Sequence, residues 1–430
     1  MTGPLDASAA PSLPAHFLFG HLPRRRRDPL GMYLESAEKL GGFTRFRFLG
    51  KSLYLVTEPD GIQRVLVENA KNYVKGFGYA AMKTVMGEGL VTAEGKTWQE
   101  QRRRCQPAFH SKRLEELLPT MNALIEESVA AWGAQPDFDL FRASLALSRR
   151  IAARALLSVD SSVDSFDELI PVLQREVSRR SLALVNFRLP FKTARERAFD
   201  DALVKLDAFV YAQIRQRRAS TGRKVDLLQD LLDKYSVEEE LQLRDALVTL
   251  FLAAYETTAT SLTWILFLVA QHPEAAEAIA AEKDGQVFTR QVVEEGMRLY
   301  PAVWLFARKA VEDDVLAGYR VSAGSFVLIS PWVNHRLTRF WENPGAFRPE
   351  RFSPANRPSI PRHAFLPFSA GPRQCIGAGF AMMELVAMVS AVVRRYHLEL
   401  RSPLPPQFDP LITLQPKDGM KLKLTPRRSA

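Results

Sequence analysis

Residues 364–377 read AFLPFSAGPRQCIG, and they set Cys375, one of two cysteines in the chain, in a loop with Pro367, Gly371, Pro372 and Gly377. The run that follows, 378–396, is almost free of polar residues until Arg394 and predicts a helix buried on most sides. Cys375 therefore stands at a helix start. There the macrodipole and the free N–H groups favour an anion, so a thiolate is stabilised and can ligate a metal. Phe368 can wall the sulfur from water, Gly371 permits a tight turn and Arg373 adds positive charge. Gly377 lets the backbone pass close beneath something flat. The competing reading is a small buried hydrophobe, which most unpaired cysteines are.

Working outward, the 430 residues are 47% hydrophobic and 25% charged, an ordinary globular composition with enough apolar material for a sizeable core. The 27 prolines are scattered without a period, which argues against a repeat protein or a long disordered arm. Two cysteines allow one disulfide at most, and the N-terminus lacks a secretory signal and any apolar run able to cross a bilayer. The expectation is a reducing, cytoplasmic setting with no leading membrane anchor.

A net charge of +10 raises nucleic acid as a partner, with Arg24–Arg27 and Arg102–Arg104 as its local support. No nucleic-acid motif accompanies them, and Arg24–Arg27, between Pro23 and Pro29, reads as a solvated surface loop. Residues 1–30, including the turn FLFGHLP, read as an irregular surface lead-in.

Helical spacing over 32–40 stops at Gly41 and Gly42, and FTRFRF (43–48) with SLYLVT (52–57) predicts a hairpin before a helix over 60–69. Residues 71–90 mix glycines with aromatics and methionines. They read either as a flexible loop lining an apolar pocket, with Phe77, Tyr79, Met82, Val85, Met86 and Leu90 as lining, or as ordinary satellite core. In 95–114, Trp98 and Arg102 share a helix face, while some of Arg103, Arg104, Lys112 and Arg113 must meet solvent. Helices are predicted over 114–132, 140–159 and 200–217, and SLALVNFRLPF (181–191) is either a mobile lid or a plain connection.

The longest helical pattern is 238–271, about 50 Å at 1.5 Å per residue, with a single formal charge between Ala246 and Ala270. It is long enough to span a membrane. Yet Tyr255, Glu256, Thr257, Thr258 and Thr260 fall at its centre, no second span accompanies it, and the flanks lack positive asymmetry. A buried core helix is the simpler reading. A carboxylate beside two hydroxyls is costly there unless it serves a network or a ligand.

Further on, Glu295 and Arg298 lie one turn apart, PERF follows at 349–352, and Val303–Phe306 can border a pocket. YRVSAGSFVLIS (319–330) predicts two strands turning at Ala323 and Gly324, and 412–427 predicts a hairpin turning at Asp418 and Gly419. Leu411–Leu414 read equally as substrate contacts or as core.

In order, these motifs resemble the cytochrome P450 family: Trp98 to Arg102, Ala253 to Thr258, Glu295 to Arg298, Pro349 to Phe352 and Phe368 to Gly377. The resemblance covers almost the whole chain. It implies one α+β domain over 1–430, mainly helical with a smaller β region, holding haem b between the long helix and the helix after the cysteine. It implies Cys375 as the axial thiolate ligand of the iron, which favours O–O cleavage. Trp98, Arg102, Arg308 and Arg373 would clamp the haem, and Pro367, Phe368, Gly371, Ile376, Gly377 and Ala253 would border it. Glu256 would relay protons and Thr257 would hydrogen-bond the oxygen being activated and water. The segment AAYETT departs from the family pattern at Ala254, where glycine is usual. Glu295, Arg298 and Arg351 would form a buried network locking the cysteine loop.

The activity so implied is monooxygenation of an apolar small molecule (terpenoid, steroid, fatty acid or polyketide), with Thr249, Leu252, Val303, Trp304, Leu305, Phe306 and Thr413 added to the substrate-lining set. Dioxygen and a separate ferredoxin-type donor with its reductase complete the reaction, the donor docking near Arg103, Arg104 and Lys112 of a monomer. Two rivals are a peroxide-driven enzyme of the same fold and, from another class, a basic nucleic-acid-binding protein.

Overall fold

The computed structural model describes residues 3–133, 137–159, 166–182, 192–283, 286–402 and 406–427. The candidate lid at 181–191 lies outside these residues apart from its first two positions. The chain folds as two compact units, neither contiguous in sequence: one comprises 1–77, 260–378 and 388–430, the other 78–259 and 379–387.

The first unit holds every described strand. Its main sheet runs in the order Phe43–Phe48, Lys51–Val56, Phe326–Ile329, Phe306–Ala310, Tyr73–Lys75. The expected first hairpin is present, Phe43 opposite Val56 and Phe48 opposite Lys51. Alternation explains its placement, because Phe46 and Phe48 are buried while Arg47 between them is exposed. The two later hairpins are not formed as expected. Tyr319–Val321 pairs with Leu5–Asp6 and Asp314–Leu316, whereas Phe326–Ile329 pairs with Lys51–Val56 and Phe306–Ala310, so the turn at Ala323 and Gly324 passes the chain between sheets. Likewise Leu414–Pro416 pairs with Phe408–Pro410, and Leu422–Pro426 pairs with Tyr396–Leu400. Local turn chemistry was right in both places, but the strands on either side of each turn pair elsewhere, some with near neighbours (Asp314–Leu316, Phe408–Pro410) and some with distant segments (Lys51–Val56, Tyr396–Leu400).

Val56, Ile62, Leu66, Tyr73, Val327, Ile329 and Leu366 form one buried cluster, which seats the start of the cysteine loop on this sheet. Arg24–Arg27 are helical, within Leu22–Arg27, rather than a loop.

The second unit is helical. The stretch 71–90, read as a loop, contains the helix Tyr79–Met86. Helices follow at Gly95–Cys105, Ser111–Trp132, Leu140–Leu157, Phe166–Leu182, Ala194–Ala219 and Leu227–Leu232. Their ends follow from capping chemistry. Asp139 accepts the Phe141 and Arg142 amides, and Thr193 with Glu196 forms a reciprocal capping box. The helix Phe166–Leu182 is not anticipated by the sequence reading.

The long helix spans Glu240–Gln271, and helix Ala378–Arg395 follows the cysteine. By length and apolarity the long helix could cross a membrane, yet 83% of its most apolar window is buried within the protein. That burial accounts for its hydrophobicity as core.

Candidate functional site

The cysteine loop is braced from three directions within the first unit. The Leu366 N–H donates to Nε2 of His335 at 2.8 Å, and the Cys375 N–H donates to the Phe368 carbonyl at 3.0 Å. Gly371 has φ +71°, and a Cβ there would lie 1.9 Å from the Leu66 carbonyl oxygen, so only glycine fits both the backbone and the space. A single helical turn, Gly371–Arg373, then delivers Cys375 two residues ahead of Gly377, which precedes the helix. The Cys375 thiol is exposed.

Behind the loop lies a buried charge network. Arg298 makes a two-pronged contact with Glu295, both arms at 2.7 Å, and donates to the carbonyls of His335, Pro344 and Ala346. Arg351 approaches Glu295 at 3.4 Å, and the Arg348 amide donates to the same carboxylate oxygen at 2.9 Å. The structure thus brings Glu295, Arg298 and Arg351 together. It also adds a member that sequence reasoning missed. His335 is fully buried, and burial, with Arg298 and Arg336 nearby, holds its imidazole well below the usual range. Its tautomer follows from its partners. Nε2 accepts from Leu366, so the proton sits on Nδ1 and is donated to the Arg298 carbonyl at 3.1 Å. A lone histidine in sequence carries no signal for this. Arg308 is buried, with its guanidinium 5.0 Å from the Phe306 ring centroid and one N–H on the Ala307 carbonyl.

Within the second unit the long helix has a polar opening. From Leu243 to Val269 that helix is buried throughout except at Ala253, Ala254, Glu256 and Thr257. These four sit within about one turn, so they make one small window. Thr257 and Thr258 each donate their hydroxyl proton to the carbonyl four residues back, at 2.9 Å. Glu256 accepts from the Gln174 side-chain amide, which also donates to the Tyr255 hydroxyl at 3.0 Å. Gln174 lies on the unanticipated helix, and nothing in the sequence marks it.

Glu384, on the helix after the cysteine, is fully buried, and burial pushes its carboxyl up to about 8 against a hydrogen bond to Thr258. With a pKa of about 8 that carboxyl is mostly protonated at neutral pH. The argument that singled out Glu256, an acid in an apolar helix, applies equally to Glu384 and would have found it.

Trp98 and Arg102 are both half-buried on Gly95–Cys105, with Arg102 Nε donating to Gln106 at 3.2 Å. Arg103 and Lys112 are exposed, whereas Arg104 is committed internally to Glu100 and Glu239. Of the substrate-lining set, Val85, Leu90, Thr249, Leu252, Trp304 and Thr413 are buried, while Phe77, Tyr79, Met82, Met86, Val303, Leu305 and Phe306 are partly open. Thr249 donates to the Met86 carbonyl and Trp304 to that of Leu411.

The two thiols differ in fitness as ligands. Cys105 is buried and its thiol is pushed up to about 12 by that burial, which keeps it protonated. Cys375 is the exposed one, held by a fixed loop. Cys375 therefore offers a sulfur that a metal with other ligands of its own could reach, whereas Cys105 does not.

Comparison with known proteins agrees. The sequence profile of the family described as Cytochrome P450 matches residues 11–424. Cyclooctatin synthase of Streptomyces melanosporofaciens is 32% identical over 96% of this chain and 93% of its own length. Cyclooctat-9-en-7-ol 5-monooxygenase of the same organism is 28% identical over 89% and 87%. Protein LUTEIN DEFICIENT 5, chloroplastic, of Arabidopsis thaliana is 27% identical over 90% and 72%. The chain belongs to the cytochrome P450 family, and it is an oxygenating oxidoreductase whose cofactor is haem b on a cysteine thiolate.

Proposed function

We propose that this protein hydroxylates an apolar terpenoid, placing one atom of dioxygen into it with electrons from a separate ferredoxin and its reductase. The observation that carries the reading is the polar window at Ala253–Thr257 in an otherwise buried helix. Substrate class rests on the relatives, two of which are named for cyclooctatin chemistry.

When bound, haem supplies the activation of dioxygen and the one-electron chemistry. Cys375 would ligate its iron, and Trp98, Arg102, Arg308 and Arg373 would hold its carboxylates through N–H donors, a task for which the planar guanidinium is suited. At the window, Ala253 and Ala254 leave room for a flat group. Glu256 holds and passes a proton from the side of Gln174, and the Thr257 hydroxyl, its own proton on the Ala253 carbonyl, offers an acceptor oxygen at one fixed position. Phe77, Val303, Leu305, Phe306, Tyr79, Met82 and Met86 offer apolar surface to substrate. Arg103 and Lys112 remain the docking cations for an acidic donor. We read residues 1–430 as one functional domain, acting as a monomer in the cytoplasm.

The acid–threonine pair Glu256 and Thr257 favours dioxygen over peroxide as oxidant. Testing requires the purified haem protein, ferredoxin with reductase, and cyclic terpenoids screened for a spin-state shift. Reductase-driven product formation, lost with uncoupled electron use in Thr257→Ala, is the expected result. Turnover with peroxide alone would select the rival. Cys375→Ser should abolish the red-shifted Soret band of the reduced carbon monoxide complex; its retention would remove Cys375 as ligand.

A further inference from the structure

The segment His16–Gly20 closes on itself as a tight loop: His16 N–H donates to the Gly20 carbonyl and Gly20 N–H to the His16 carbonyl, both at 2.9 Å. Inside the loop, Nδ1 of His16 accepts the amides of Leu18 and Phe19 at 3.2 and 3.3 Å. The imidazole also stacks on Phe17 and Phe19, with centroids 4.7 and 5.1 Å apart. Gly20, at φ +61°, bridges to Phe48, and a Cβ on it would lie 2.0 Å from the Arg47 carbonyl oxygen, so the loop is pinned to the end of the Phe43–Phe48 strand. This is a braced element.

Its tip is apolar and turned outward. Phe17 is 85% exposed, Leu18 59% and Phe19 42%, and Leu49, next to the bridged Phe48, is 40% exposed. Three consecutive large apolar residues held outward against the hydrophobic effect need a covering surface. The backbone is ready for an apolar one. The amides of Leu18, Phe19 and Gly20 are already paired within the loop, so entering a medium without water strands none of those donors.

Charge identifies the medium. Arg26 and Arg27 are exposed on the helix that follows the loop, and Arg47 and Lys51 are exposed on the hairpin to which it is pinned. Nearby acids are fewer. Glu35 pairs with Arg24 and Lys39, and the exposed Asp28 caps the next helix through the Gly31 amide. An apolar tip flanked by cations matches an anionic bilayer, rings in the acyl boundary and guanidinium groups among phosphates.

We propose that the Phe17–Phe19 loop, with the cations of Leu22–Arg27 and the Phe43–Val56 hairpin, is a peripheral docking surface for anionic lipid bilayers. Attachment is shallow and reversible, since one short loop enters the membrane.

The test sediments the full-length haem protein with vesicles of phosphatidylcholine alone or mixed equally with phosphatidylglycerol. Binding to mixed vesicles should be at least about ten-fold tighter than to phosphatidylcholine, and should weaken as salt rises. Phe17→Ser with Phe19→Ser should lower it about ten-fold or more, and Arg26→Glu with Arg27→Glu should do the same while flattening the salt dependence. All four positions are solvent-facing, so unfolding midpoints and the reduced carbon monoxide spectrum should match the parent. Amide exchange on mixed vesicles should slow over 16–27. No binding by the parent protein, binding untouched by either double substitution, or slowed exchange confined to other segments would each overturn the proposal, the last two by assigning the contact to another surface.

Discussion

Nε2 of His335 accepts the Leu366 N–H at 2.8 Å while Nδ1 donates to the Arg298 carbonyl at 3.1 Å, so one imidazole joins the buried ion network to the loop that carries Cys375. Acceptance at Nε2 requires the neutral ring, and burial keeps it neutral.

His335→Phe keeps the ring shape and leaves the Leu366 amide and Arg298 carbonyl unpaired in the interior, at a cost of about 1–3 kcal/mol each. His335→Gln supplies an acceptor and should recover part of the loss. Denaturant unfolding of the haem-loaded protein measures it, and exchange of the Leu366 amide localises it. A pH slope should also disappear. The folded pKa lies below the unfolded value near 6.5, so this group's contribution is complete above that value and is lost as pH falls beneath it, by up to about 1.4 kcal/mol per unit. His335→Phe should remove that acid slope.

Glu384 works in the opposite sense. Its folded pKa of about 8 exceeds its ordinary value of 4.5, so its contribution is complete below 4.5 and is lost as pH rises towards 8. Glu384→Gln, neutral at every pH, should flatten stability across that window. Between 4.5 and 6.5 the two slopes oppose each other in the parent protein, so unfolding measured against pH in each single variant is the informative comparison.

Gly371→Ala places a methyl 1.9 Å from the Leu66 carbonyl oxygen at φ +71°. The left-handed backbone alone costs about 1–2 kcal/mol for alanine, and the clash with a backbone atom adds to it. Thermal unfolding should drop by more than about 2 kcal/mol, and loss of the red-shifted carbon monoxide band would show that the cysteine loop has moved.

Arg298→Met removes a cation that meets Glu295 and three carbonyls, with both charges at 0% side-chain exposure. Leaving the buried Glu295 carboxylate with only Arg351 and the Arg348 amide should cost about 3 kcal/mol. Low haem retention with a reduced unfolding midpoint is the expected outcome; an unchanged midpoint would deny the network its structural role.

The sequence by itself determined the family and the helical character of the chain, because both rest on local rules: residue spacing on a helix, and a run of residue types around one sulfur. It reached Glu295 with Arg298, one turn apart, and the acid–threonine pair in the long helix, for the same reason. What it missed was non-local. The strands 319–321 and 326–329 enter different sheets, and Gln174, His335 and Glu384 find partners far along the chain. Burial likewise emerged only in three dimensions. Cys105 and Cys375 are the same residue type, yet packing buries one and protonates it while a braced loop leaves the other open. Spacing along a chain specifies which side chains share a face; which faces close on one another, and so which polar groups lose water, is decided by tertiary packing.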